Sequence, residues 1–151
     1  MRKAILILNP QEEFLGENNR LWIANPYIEL FLATLETESE NYDIIMATQA
    51  IGSSSDKFVK YGSFEGNIKH DLLPLRYIDV LGYRYGQVGA IQDLYKKIQN
   101  YIKNLEISDL TICGFPFVLS VNELTDLIYT TEGINSVETN LVFINNPNFP
   151  L

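Results

Sequence analysis

Apolar and polar positions divide the chain into alternating strand-like and helix-like blocks. Ala4-Ile5-Leu6-Ile7-Leu8 is apolar without a break, as expected of a central parallel strand covered on both faces. It predicts a strand from Lys3 to Asn9, ended by Pro10, which has no backbone donor. Residues 15 to 24 read as a loop with Gly16, Asn18 and Asn19. Asn25-Pro26 is a helix start, with Asn as cap and Pro at the first helical position. That helix is predicted to run to about Ser39, burying Tyr27, Leu30, Phe31, Thr34 and Leu35 at helical spacing. Tyr42 to Thr48 is predicted as the second strand, followed by a long polar loop over 50–69. Loops of that length inside a compact domain are usually functional or mobile.

Ile78 to Leu81 is predicted as a short third strand, followed by the loop Gly82-Tyr83-Arg84-Tyr85-Gly86. From Val88 to Asn104 the pattern turns helical, with Ile91, Leu94, Tyr95, Ile98 and Ile102 on one face and Lys96, Lys97 and Lys103 outside. Asp109 to Val121 reads as a buried strand from Leu110 to Gly114, a short loop, and a new helix start. The helix after Ser120 buries Val121, Leu124, Leu127 and Ile128 and is expected to stop at Gly133, a C-cap residue. Leu141-Val142-Phe143-Ile144 is predicted as the last strand, before a tail with two prolines. Strands alternating with helices imply right-handed crossovers and a mostly parallel sheet. Ligands and chemistry then collect where strands hand over to helices, at the ends of the first and fourth strands.

The 151 residues suit a single domain spanning 1–151, and a hydrophobic share of 46% is enough for one core. No apolar run approaches the ~18 residues of a membrane span, and the N-terminus does not read as a signal peptide. The single cysteine, Cys113, excludes an internal disulfide framework and points to a reducing, cytoplasmic setting. A net charge of −8 repels phosphate backbones, so nucleic acid is not an expected partner, and without a long apolar run neither is a membrane.

The run Ala4 to Leu15, with Asn9-Pro10-Gln11-Glu12-Glu13-Phe14 after the strand, resembles the opening of the isochorismatase-like cysteine hydrolases, which include the nicotinamidases. Their first strand ends in Asp-x-Gln-x-Asp-Phe. Gln11 and Phe14 match, Asn9 stands for the first Asp and Glu13 for the second. Tyr42 to Gln49 resembles the family's second strand, and Asp79-Val80-Leu81-x-x-Arg84 the stretch leading to its active-site lysine. The fourth strand resembles Val-x-Gly-x-x-Thr-x-x-Cys-Val, with Gly114 matching and Ser120-Val121 in place of Cys-Val. The resemblance covers nearly the whole chain in order. It implies a three-layer α/β/α sandwich on a mainly parallel five-stranded sheet in the order 3-2-1-4-5, with the family's sixth strand missing. It also implies a homo-oligomer, since the family commonly forms dimers and larger assemblies.

The departures fall on the catalytic positions. Where the resemblance implies Asp, Lys and Cys, this chain has Asn9, Arg84 and Ser120. Asn has no titratable carboxylate, and Arg does not give up its proton. A helix N-terminus favours a cysteine thiolate, whereas serine needs an adjacent base. The nicotinamidase metal ligands, an Asp and two His, are replaced by Ala50, Gly52 and, nearest the third, Tyr61. No metal and no cofactor is expected.

Each of these residues also has a plain structural reading. Ser120-Val121-Asn122-Glu123 is a capping box, set against a nucleophile. Asn9 either satisfies a turn backbone or contacts a ligand. Arg84, between tyrosines, is a surface stack or an anion clamp. Cys113 reads as a small buried hydrophobe and His70-Asp71 as a solvated pair. The expected function is therefore a diverged, catalytically inactive isochorismatase-like protein that binds a small ligand or a protein partner. Asn9, Phe14, Arg84, Phe117 and Ser120 would form a site for an anionic or carbonyl-bearing molecule. The alternatives are a working hydrolase of a small amide or related compound with a rearranged site, and a structural subunit of an assembly.

Overall fold

A computed structural model of the chain describes residues 2–12, 33–52, 76–84, 87–114 and 121–141. Strand β1 is Arg2–Leu8. Helix α1 covers 33–38 and tightens into a 3₁₀ turn at Ser39–Asn41. Then follow β2 (Ile44–Ile51), β3 (Tyr77–Arg84), α2 (Ala90–Asn104), β4 (Ile107–Gly114), α3 (Val121–Tyr129) and β5 (Ser136–Leu141). The five strands form one sheet in the order β3-β2-β1-β4-β5, with every adjacent pair parallel. This is the predicted order.

β1 lies at the centre, and Ala4 to Leu8 are buried, which accounts for its unbroken apolar run. Register sorts the core into two faces. Leu6 aligns with Met46 and Ile112, and Thr48 with Leu81, on one face. Ile5 and Ile7 align with Ile45, Ala47, Thr111 and Cys113 on the other. Helix α2 packs on the first face, burying Leu94, Ile98 and Ile102 at i, i+4 spacing. Its Tyr101 donates to Asp79 Oδ2 (2.7 Å) and its Lys97 Nζ to the Gly82 carbonyl (3.1 Å). Helix α3 lies beside α2 and buries Leu124 and Ile128. On the opposite face Tyr42, just after the 3₁₀ turn, donates to Thr111 Oγ1 at 3.1 Å.

Several boundaries differ from those predicted. β2 runs on through Ile51 and β3 through Gly82, Tyr83 and Arg84, which the pattern assigned to loops. Pairing overrides local composition there, with Gln49, Ala50 and Ile51 opposite Gly82, Tyr83 and Arg84. β5 is the polar segment Ser136–Leu141 instead of Leu141–Ile144. Ser136 Oγ donates to Asp109 Oδ1 (2.6 Å), and an outer strand does not need the apolar run of a central one. Residues 142–144 lie outside the described residues. α3 ends at Tyr129, before Gly133. The Thr130 and Thr131 amides bond the Leu127 and Ile128 carbonyls over three residues, and the Thr130 hydroxyl also takes the Leu127 carbonyl. Gly133 sits in the following turn at φ 96°. α2 begins at Ala90, after Gly89 at φ 83°. In α1, Leu35 is buried as expected but Thr34 is exposed. The helix start at Asn25-Pro26 lies outside the described residues. Among the described residues no helix is long and apolar enough to cross a membrane.

Candidate functional site

The carboxyl ends of β1, β2, β3 and β4 lie along one edge of the sheet. The chain leaves β1 for β2 and β3 on one side and returns to β4 on the other, so the direction of winding reverses between β1 and β4. Such a reversal opens the crevice where ligands bind in open α/β sheets. Gly114 closes β4 opposite Leu8 at φ 99°. A Cβ at this position would lie 2.7 Å from the Leu8 amide nitrogen and would also strike the Leu8 carbonyl oxygen. Only glycine combines that backbone with so close an approach.

Asn9 follows β1 with a left-handed backbone (φ 51°), which Asn tolerates better than most residues. It is fully buried. Its amide N–H donates to Thr48 Oγ1 at 3.1 Å. The Thr48 hydroxyl in turn donates to Asn9 Oδ1 at 2.9 Å, and the Tyr83 hydroxyl donates to the same oxygen at 3.0 Å. One side-chain oxygen thus takes donors from β2 and from β3. Burial raises the Tyr83 phenol well above its usual range, and its hydrogen bond to Asn9 offsets only part of that rise. The cluster therefore carries no charge at ordinary pH.

Gln11 is also fully buried. Its Nε2 donates to the Ala50 carbonyl and its Oε1 accepts from the Ala50 amide, both at 2.9 Å. The side chain copies a strand's backbone and fastens the segment after β1 to β2. Ala50, expected at the first place of the nicotinamidase metal set, offers only a methyl group there.

Arg84 is exposed at the end of β3, opposite Ile51. Successive strand residues point to opposite faces, and it is Tyr83 that reaches Asn9. Phe14, Phe117 and Ser120 lie outside the described residues, as do His70 and Tyr61. Val121, the residue after Ser120, opens α3. In the first turn of α3, Glu123 Oε1 accepts from Gln92 Nε2 of α2 at 3.0 Å. Cys113 is buried within β4, and its thiol is pushed up to about 12, by burial first and then by the nearby Glu38 charge. A thiol so placed is a packing group, not a nucleophile.

Thr48 and Tyr83 were not among the residues expected from the sequence. The signal for Tyr83 was present: Asp79, Leu81 and Tyr83 keep the strand alternation that the glycine at 82 masked. Thr48 had no such signal beyond being a polar residue inside an apolar strand.

No protein-family model matches the sequence, and no curated relative matches it either. Solved structures do. An isochorismatase from Pseudomonas putida KT2440 superposes with a TM-score of 0.65 at 19% identity, over 93% of this chain and 68% of its own. The chain has the isochorismatase-like fold. N-carbamoylsarcosine amidase from Thermoplasma acidophilum is similar over 99% of this chain and 88% of its own, with a TM-score of 0.61 and 14% identity. PnC1 from L. infantum, solved in complex with nicotinate, is similar over 93% and 96%, with a TM-score of 0.62 and 12% identity. The chain spans 68% of the Pseudomonas protein's length and 64% of that of a second structure of this kind, from Burkholderia xenovorans. Within the isochorismatase-like fold, Asn9, Gln11, Thr48 and Tyr83 make an uncharged, hydrogen-bonded set at the strand ends, with Glu12 next in the chain and Arg84 exposed at the end of β3.

Proposed function

We propose that this chain is a diverged isochorismatase-like protein without hydrolytic activity, and that it binds a small anionic or carbonyl-bearing molecule at the carboxyl ends of its strands. One observation carries the reading: the oxygen of Asn9 is held by Thr48 and Tyr83. By resemblance an Asp is expected at the end of the first strand and a Lys at the end of the third. Asn9 fills the first place, and Tyr83, through its contact with Asn9, is our assignment for the second. An amide accepts no proton in catalysis, and a buried phenol stays protonated. Neither group can then serve as the base that Ser120 would need.

The same edge suits binding. The start of α3 turns backbone N–H groups and the positive end of a helix dipole toward the strand ends. Arg84 supplies a fixed positive charge at the rim, and Phe14 and Phe117 are proposed as apolar walls. The nicotinate held by the L. infantum protein is a small carboxylate of this kind.

Thermal-shift measurements test the reading. Nicotinate and other small carboxylates should raise the melting temperature of the native chain but not of Arg84→Ala, because a ligand that binds only the folded state stabilises it, by ~2.7 kcal/mol at a hundredfold excess over Kd. If no carboxylate shifts the native chain, the binding part fails. Turnover of nicotinamide or isochorismate that Ser120→Ala abolishes would overturn the inactivity part and favour a working hydrolase.

A further inference from the structure

Residue 9 sits in a preformed setting that is more specific than an amide requires. Two hydroxyl donors, on neighbouring strands, converge on one oxygen at 2.9 and 3.0 Å. The Thr48 hydroxyl cannot turn away freely, because its own oxygen receives the Asn9 backbone N–H at 3.1 Å. With one lone pair so taken, the hydroxyl gives its hydrogen to Asn9 Oδ1 at 2.9 Å. The Tyr83 hydroxyl is carried by a ring that is only 6% exposed, on the strand beyond β2. The left-handed backbone at residue 9 tolerates Asp as it does Asn, and the two side chains have the same shape. Converging donors favour the charged form of a carboxylate, against the burial that opposes it.

We propose that Thr48 and Tyr83 are positioning residues forming a two-donor cradle for an acceptor oxygen at residue 9, able to hold a carboxylate there in its ionised form. Asn9→Asp is then a single change that places a carboxylate on the cradle. The proposal goes beyond the function proposed above and stands on the cradle's geometry. Carboxylate screening tests that function, whereas titration of residue 9 tests the cradle, so either can fail alone.

Three titratable groups on the described elements stand nearest residue 9 in register or sequence: Tyr83 on β3, Cys113 on β4 beside Gly114, and Glu12 ahead in the chain. Burial holds the phenol and the thiol neutral at ordinary pH, so Glu12 is the one carboxyl of the three to be told apart from residue 9. Glu12→Gln in the same background serves as that control.

The test uses the full chain carrying Asn9→Asp. Its new carboxyl is followed by isotope-edited infrared spectroscopy between pH 4 and 9. The expected result is a folded protein whose introduced carboxyl is ionised at pH 7. Adding Tyr83→Phe or Thr48→Val should raise the pKa of that carboxyl by about one unit, a ~tenfold change in proton affinity. Thr48→Ser, which keeps the hydroxyl, should leave it unchanged. A role confined to packing would not distinguish Ser from Val in this readout. The proposal is overturned if the introduced carboxyl is protonated at pH 7, or if its pKa ignores both hydroxyls. It is equally overturned if the Asn9→Asp chain folds at no pH in the range, since a cradle built for oxygen should accept a carboxyl group of the same size. Should a second substitution prevent folding, the ionisation state of the carboxyl in the single variant decides.

Discussion

Gln11 illustrates how much a buried polar side chain settles when each of its atoms has a defined partner. Its amide meets the Ala50 backbone with one donor and one acceptor, both bonds at 2.9 Å and away from solvent. Gln11→Glu keeps the size but sets a carboxylate oxygen against the Ala50 carbonyl. A buried acceptor facing an acceptor loses the bond and leaves groups unsatisfied, at ~1–3 kcal/mol or more for a charged group. Urea unfolding at pH 7 should show that loss, whereas Gln87→Glu, at an exposed position, should be close to neutral. Asn9 follows the same logic with two donors on one oxygen. Its identity was visible in the sequence, but its partners, 39 and 74 positions away, were not.

Among the elements, the contact between β1 and β4 shapes the crevice. The two strands run in register from Lys3 opposite Asp109 to Leu8 opposite Gly114. The last pair is close enough that a side chain at 114 would strike Leu8. Gly114→Ala therefore meets two penalties, a positive φ costing ~1–3 kcal/mol and the separation of the strand ends. Its thermal midpoint should fall sharply. Gly133→Ala also carries a positive φ, but nothing lies within 4 Å of its Cβ position, so it should lose only the first part. Equal losses in the two variants would show that the close approach does not matter. β3 and β5 show why their limits escaped the pattern. Each is an outer strand of the described sheet, and such strands bury less and read as polar or broken.

For the molecule as a whole, acidity acts through opposing effects. The net charge of −8 disfavours the compact state near neutrality, and acid relieves that repulsion. Asp109 works in the other direction. Hydrogen bonds from Ser136 (2.6 Å) and Ser108 (3.0 Å) hold its carboxyl below the usual carboxylate range, with Lys3 adding a smaller pull. Its folded pKa is below its unfolded value, so its contribution is present above about pH 4 and is lost as pH falls through the folded pKa. The stability difference between the native chain and Asp109→Asn should therefore shrink below about pH 4 and stay constant between pH 6 and 8. A difference that grows on acidification would contradict the assignment.

The sequence by itself determined the alternation of strands and helices and the central place of β1. These follow from local chemistry: an unbroken apolar run demands cover on both faces, and helical spacing defines which side of α2 and α3 is buried. The strand order came from the resemblance to a known family, not from the pattern. The sequence also showed that the ends of β1 and β4 carry the unusual residues. Tertiary structure alone decided where β2, β3 and β5 begin and end, because pairing with a neighbour fixes them. It decided too that Tyr83 and Thr48, absent from the expected site, meet at Asn9, while Arg84 faces solvent. A hydrogen bond between β1 and β3 depends on register and on the left-handed turn at residue 9, and neither is written in the spacing of hydrophobic residues.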